Sequence, residues 1–315
     1  MRSYDTLTRR SALGLAGAAG LCTALRPVAT FGSEAPLPPI IRKIPSSGES
    51  LPVVGIGTNA YDVSSADDIA ARREVLRALP TLGGRLIDTA RGYGRSEEVI
   101  GELLTELGNR ERFFIATKPV SAPQANDPVT RSVLDESFRR LRTQRIDLLQ
   151  VHSLLRLDDL MPLFEEYKRA GRIRYIGVTT ATARTHDEMV KVMRGHSLDF
   201  IQVDYSIEDR AAAEQVLPLA KEKGIAVLNN VPLGGRNRSL MPRVAGKKLP
   251  EWATEFDAVS WAQYMLKYCL SHPAVTAVIP GTTTLAHLED NLGAGRGRLP
   301  DATLRRRMEQ HWAAL

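Results

Sequence analysis

An acid, a phenol, an ammonium and an imidazole follow one another along this chain at the ends of short apolar runs. Asp88 and Tyr93 stand in L-I-D-T-A-R-G-Y-G, Lys118 in F-I-A-T-K-P, and His152 in L-L-Q-V-H-S. A phenol ionises near pH ~10 in water, too high for ready proton exchange at neutral pH. A nearby ammonium favours the phenolate; Lys118 can supply that charge, and Asp88 can hold the lysine charged and oriented. An imidazole such as His152 can hydrogen-bond a carbonyl oxygen and fix it for attack. Such a set hands a proton to oxygen. No side chain gives up a hydride, so delivery to carbon calls for a nicotinamide cofactor. Each residue alone has a plainer explanation: a strand-end cap, a loop charge, a core ring, a buried histidine. Their conjunction at three successive strand ends carries the reading of carbonyl reduction or, in reverse, alcohol oxidation.

The elements that must position these residues are legible as an alternation. Eight apolar runs (53–58, 85–90, 113–118, 146–152, 173–179, 200–205, 225–230 and 277–280) read as buried strands. Amphipathic stretches of helical length separate them, among them 66–79, 97–107, 129–141, 157–170 and 211–223. Gly171, Gly195 and Gly224 fall where helix C-caps belong. Residues 40–44 and 51–54 flank a turn-rich P-S-S-G-E-S and predict a short hairpin ahead of the first run. Eight strand-plus-helix units match an α/β fold of the (β/α)8 TIM-barrel type in a single domain. G-I-G-T-N after the first run lacks the third glycine of a dinucleotide fingerprint, which argues against an open doubly wound sheet.

The formal net charge of the 315-residue chain is +6, of which residues 1–35 carry +2 (Arg2, Arg9, Arg10 and Arg26 against Asp5 and Glu34). No basic run is interleaved with aromatics, so no nucleic-acid partner is expected. T-R-R-S-A-L at Thr8–Leu13, followed by an apolar Ala/Gly-rich stretch to Leu25, resembles a twin-arginine export signal. That stretch is too short for a membrane span. The organisation expected is a signal segment over 1–35, a barrel over 36–315, the twin-arginine translocase as partner and a periplasmic location, with a cytoplasmic tail as the alternative. Two cysteines, Cys22 and Cys269, make no disulfide framework. His152 is the only histidine at a strand end, so no metal site is expected.

These motifs together resemble the aldo-keto reductase family. The likeness covers most of residues 40–295: L-P-V-V-G-I-G-T, I-D-T-A-x-x-Y-G-x-S-E, the T-K of the third run, the V-H of the fourth, I-G-V-T-T, I-Q-V-D-Y-S, and V-I-P-G-T with E-D-N-L after it. The resemblance implies a (β/α)8 barrel, NADPH- or NADH-dependent reduction of aldehydes or ketones, and an acid–base tetrad at Asp88, Tyr93, Lys118 and His152. It places the nicotinamide carboxamide against Thr179, Thr180 and Gln202. The usual pair at 179 and 180 is Ser-Asn, so Thr-Thr is a departure. Asn230 stands where many members stack an aromatic ring on the nicotinamide. Leu233, in P-L-G-G, belongs to the pyrophosphate-side loop, and Thr58 ends the first run beside the cofactor.

The far end of the cofactor falls on Thr282, whose run of threonines opens the helix after the eighth strand, and on His287, with Asp290 and Asn291 toward the adenine. The threonine hydroxyls lean to NADP(H) over NAD(H), although no Lys or Arg follows until Arg296. Substrate selection is expected from Asn59, where the family often has tryptophan, from Tyr61, and from Arg91 at the mouth; Trp252 is a further candidate wall. The segment 236–257 is a candidate lid over bound cofactor. The substrate class is a small carbonyl or alcohol; a nicotinamide-binding regulatory module with little turnover is the alternative.

Overall fold

Alternation along the strands decides which side chains enter the barrel and therefore what its mouth can present. The computed structural model describes residues 37–119, 127–235 and 238–315. The export-signal motif lies outside the described residues. Strands β1 (Ile41–Lys43) and β2 (Ser50–Pro52) form the expected antiparallel hairpin. Eight parallel strands follow: β3 (Ile56–Gly57), β4 (Leu86–Asp88), β5 (Phe114–Thr117), β6 (Ile146–Val151), β7 (Ile173–Thr179), β8 (Phe200–Asp204), β9 (Ala226–Asn230) and β10 (Ala277–Val278). They pair in chain order, and bridges Val54–Val278 and Gly57–Gly281 join the first to the last. Helices α1 (Ala66–Ala78), α2 (Ser96–Leu107), α3 (Asp127–Arg140), α4 (Leu157–Arg169), α5 (His186–Gly195) and α6 (Val216–Lys223) return between strands. After β9 come α7 (Met241–Val244) and α8 (Trp261–Leu270), and after β10 come α9 (Leu285–Gly293) and α10 (Ala302–Ala313). The architecture is the (β/α)8 barrel that the alternation predicts.

One side-chain set fills the barrel: Leu86, Phe114, Ala116, Leu148, Tyr175, Phe200, Ala226, Leu228, Ala277 and Ile279 form a buried cluster separate from the larger one beneath the helices. Phe114, Tyr175 and Phe200 meet with ring centroids 5.5–5.8 Å apart. Ile44 and Leu51 of the hairpin join the same inner cluster. The hairpin thus plugs the end where the strands begin. Glu49 ties it there, pairing with Arg85 at 3.0 Å and accepting from the Tyr175 hydroxyl at 2.7 Å. The open end is the one where the strands finish, the face on which barrels of this type carry their chemistry.

Closing the barrel demands close backbone approach. A Cβ on Gly57 would stand 2.9 Å from the Ile279 carbonyl oxygen, so only glycine fits this seam. Helix ends follow local rules. Ser65 caps α1 by accepting from the Asp68 amide, and Gly224 ends α6 at φ 66°, the left-handed conformation that glycine adopts without strain. Gly171 has φ 71° just past α4, as expected. Gly195 differs: it is the last residue of α5, and His196 leaves the helix in an extended conformation. The 211–223 stretch also divides, a 3-10 turn at Ala211–Ala213 preceding α6.

Candidate active site

Inward register continues from the core into the mouth. Beyond Leu86 comes Asp88, beyond Ala116 comes Lys118, beyond Leu148 come Gln150 and His152, and beyond Phe200 come Gln202 and Asp204. Lys118 Nζ donates to both Asp88 carboxylate oxygens at 2.7 Å and to the Thr89 carbonyl at 2.8 Å. Both side chains are buried, at 4% and 1% exposure for Asp88 and Lys118. Burial opposes the Lys118 charge, but attraction first from Asp88 and then from Tyr93 outweighs it and holds the lysine above its ordinary pKa. The lysine is therefore an ammonium at neutral pH.

Two buried amides complete the cradle. Gln150 and Gln202 each direct their nitrogen at an Asp88 oxygen, at 3.5 Å, and Gln150 Nε2 donates to Gln202 Oε1 at 3.0 Å. The carboxylate only accepts, which sets both amide orientations. Gln150 escaped the sequence reading, although its place two residues before His152 on an inward-facing strand was a signal available there. Glu97 also escaped it. This fully buried carboxyl accepts from the Thr117 hydroxyl at 2.7 Å and from Ser137 at 3.3 Å, and burial raises its pKa. It braces the strand end that carries Lys118.

The phenol and the imidazole stand at the rim of this buried pair. Lys118 Nζ lies 5.5 Å from the Tyr93 ring centroid. The Tyr93 and His152 rings meet edge to face, with centroids 6.3 Å apart and planes at 83°. Burial, and then the Lys118 charge, lowers the His152 pKa to about 4. The imidazole is neutral at physiological pH, so it can hydrogen-bond but carries no charge. The chain leaves His152 through Ser153, Leu154 and Arg156 at φ 55°, 59° and 56°, three non-glycine residues in the left-handed region. Such strain persists where surrounding contacts over-determine it, and the Ser153 amide is held by the Thr179 hydroxyl at 3.0 Å.

Of the residues expected around a cofactor, Thr179, Thr180, Gln202 and Asn230 come together at the ends of β7, β8 and β9. The Thr180 hydroxyl bonds the Thr185 hydroxyl, and the Thr180 carbonyl accepts from Asn230 Nδ2 at 2.8 Å. Thr282 and Asn291 are buried and bond each other at 3.0 Å, with the Thr282 hydroxyl donating to the Pro280 carbonyl. They shape the loop from within. Asp290 accepts from Ser260 and Gln263 at 2.8–2.9 Å. His287 is exposed in the first turn of α9, and Leu233 is half-buried after β9.

Several candidates turn inward instead. Thr58 has no exposed surface and donates its hydroxyl to the Asp88 carbonyl at 2.9 Å, so its side chain holds backbone. Tyr61 is likewise fully buried, under the Arg72 guanidinium at 5.6 Å, and lines no substrate wall. Trp252 packs on Phe256, Tyr264 and His311 beneath Arg307. Ala253 and Phe256 are buried and anchor the second half of the 236–257 segment, whose other residues are exposed or half-buried. Asn59 is exposed beside Gly281, while the half-buried Arg91 is anchored by its amide to the Lys118 carbonyl at 2.9 Å.

The sequence profile of the Aldo/keto reductase family matches residues 53–312. This chain belongs to that family. It is 32% identical to the aldo-keto reductase YhdN of Bacillus subtilis over 219 residues, 65% of this chain and 63% of YhdN. It is 28% identical over 310 residues to the aldo-keto reductase yakc [NADP(+)] of Schizosaccharomyces pombe, covering 84% and 89% of the two chains. A crystal structure of an aldo/keto reductase from Klebsiella pneumoniae in complex with NADP and acetate shares the fold, with a TM-score of 0.66, 22% identity, and coverage of 84% of this chain and 93% of that one. Among the described residues of this family member no group of His, Cys, Asp and Glu could hold a metal ion, and no helix is long and apolar enough to cross a membrane.

Proposed function

We propose that this aldo-keto reductase uses NADP(H) to reduce a small aldehyde or ketone, with Tyr93 donating the proton. The observation that carries the reading is the buried Asp88–Lys118 ion pair set against the Tyr93 ring. The mouth suits a nicotinamide: a buried ammonium lies beneath it and a neutral imidazole stands at its rim. The nicotinamide would supply the hydride. The protein's own part is proton delivery and placement of the carbonyl. Neutral His152 donates a hydrogen bond to the carbonyl oxygen, Tyr93 passes it a proton, and Lys118, held by Asp88, offsets the charge left on the phenol. The names of yakc [NADP(+)] and of the NADP-bound Klebsiella structure support NADP over NAD. Export by the twin-arginine route stays part of the proposal, on the strength of T-R-R-S-A-L alone.

The test is Tyr93→Phe assayed on a panel of aldehydes. Turnover falls by about 10²–10⁴, the usual size of a general-acid contribution, while NADPH still binds. Unchanged turnover on a substrate of the native protein would sink the mechanism. Binding without turnover in the native protein would favour a nicotinamide-dependent binding module.

A further inference from the structure

Behind the inward-facing Asp88 and Lys118 stand two threonines whose side chains face the helices. Thr89 follows Asp88 and Thr117 precedes Lys118, so strand alternation turns both outward. Both are fully buried, and both meet the first turn of α2. The Ser96 hydroxyl donates to the Thr58 carbonyl at 3.0 Å; with its one proton spent, it accepts from the Thr89 hydroxyl at 2.9 Å. Next to it the Glu97 carboxyl accepts from the Thr117 hydroxyl at 2.7 Å and, with its other oxygen, from Ser137 of α3 at 3.3 Å. Two separate hydrogen bonds thus tie the start of α2 to the strand of the acid and to the strand of the ammonium. Tyr93 hangs from the same start. The Ser96 amide donates to the Tyr93 carbonyl at 3.1 Å, and the Tyr93 amide donates to the Ala90 carbonyl at 3.0 Å. Thr89 serves the lysine too, since its carbonyl accepts from Lys118 Nζ at 2.8 Å.

We infer that Thr89 and Thr117 are positioning residues, which act through Ser96 and Glu97 to hold the Tyr93 phenol beside the Lys118 ammonium. The inference rests on the mechanism proposed above and adds the side chains that fix its geometry. Tyr93 is half-buried, with Lys118 Nζ 5.5 Å from its ring centroid. An ammonium lowers the pKa of a phenol only while it is close, and a displacement of about 1 Å can cost about 10² in rate. The turn that carries Tyr93 has little packing of its own, with Gly92, Gly94 and Arg95 all exposed. Its outer ties are exposed as well: the Arg95 amide donates to Asp62 at 3.1 Å, and Arg140 donates to the Gly94 carbonyl at 3.1 Å. The bonds at Ser96 and Glu97 are buried, where a low dielectric strengthens them. They set where the turn ends and therefore where the phenol stands.

The experiment measures NADPH-dependent reduction, across pH, of an aldehyde that the native protein turns over. Thr89→Val and Thr117→Val each delete one hydroxyl at nearly constant volume, while Thr89→Ser and Thr117→Ser keep it. The two sites break different hydrogen bonds, so either valine variant alone decides the matter. Each is expected to lose about tenfold in kcat, with KM for aldehyde and for NADPH within about twofold of native. The alkaline limb of kcat/KM is expected to move up by about one pH unit as the phenol leaves the ammonium. The serine variants are expected to restore both rate and limb. Valine variants with native kcat and an unmoved limb overturn the inference, even where denaturant titration shows them less stable. Equal losses in valine and serine variants also overturn it, because packing rather than hydrogen bonding would then be responsible. Tyr93→Phe, assayed alongside, separates the two readings. Native turnover in Tyr93→Phe removes the mechanism and the inference together; loss there with native behaviour in the valine variants removes the inference alone.

Discussion

The two walls of the barrel mouth are built on opposite plans. Along β4, β5, β6 and β8 the polar side chains gather around one carboxylate, with Gln150 Oε1 left without a hydrogen bond. Lys118 bridges the two oxygens of Asp88, and Gln150 and Gln202 close over the same carboxylate. Along β7 and β9 the polar groups instead bond main chain or each other at the rim: Thr179 takes the Ser153 amide, Thr180 takes Thr185, and Asn230 takes the Thr180 carbonyl with one end of its amide and nothing with the other. The first wall centres on a buried ion pair, the second on neutral hydroxyls and an amide. A buried ion must be paired, because an unpaired ion in a low dielectric is far more costly than an unpaired amide.

The strongest way to break this contrast is Lys118→Met. It strands the Asp88 carboxylate in the core and is expected to cost about 3–5 kcal/mol of unfolding free energy, measured by denaturant titration. A loss below about 1 kcal/mol would mean that the two charges are not paired as described.

Acid sharpens the same comparison. His152, on the first wall, has its folded pKa lowered from 6.5 to about 4 by burial and then by Lys118. Between these values the unfolded chain takes up the proton first, so stability is full above pH 6.5 and declines as pH falls toward 4. The His152 share is up to about 3 kcal/mol. His272, also lowered to about 4, adds to the same decline. In His152→Asn the unfolding free energy should drop less steeply from pH 7 to pH 5 than in the native protein; equal slopes would show that the imidazole is not held neutral.

The smallest effect belongs to the second wall. Thr180→Val removes a hydroxyl that faces Thr185, so NADP⁺ affinity is expected to change by less than about twofold, with roughly 1 kcal/mol lost from stability. A tenfold loss of affinity would place that hydroxyl on the cofactor.

Much of the first wall was legible in the chain. Asp88, Lys118 and His152 each close an apolar run, and strand periodicity alone puts them on the inward face. Strand and helix order were legible for the same reason, since the periods of 2 and 3.6 are local properties. Gly195 was misread because a glycine near a helix end need not take the left-handed conformation. Thr58 and Tyr61 were misread because proximity in sequence to a strand end says nothing of exposure. Whether a side chain meets solvent or core depends on the neighbour that covers it, as Arg72 covers Tyr61.

By itself, then, the sequence determined the order of strands and helices, the inward face shared by Asp88, Lys118 and His152, and the family. Tertiary structure alone decided which valences are used. Gln150 meets Gln202 across 52 residues, and Asn230 meets Thr180 across 50. The two ends of an amide are nearly equal in size and opposite in hydrogen-bonding sense, so only the groups the fold brings beside them set their direction. That choice directs both glutamine nitrogens at Asp88 and leaves Gln150 Oε1 and Asn230 Oδ1 without a hydrogen bond.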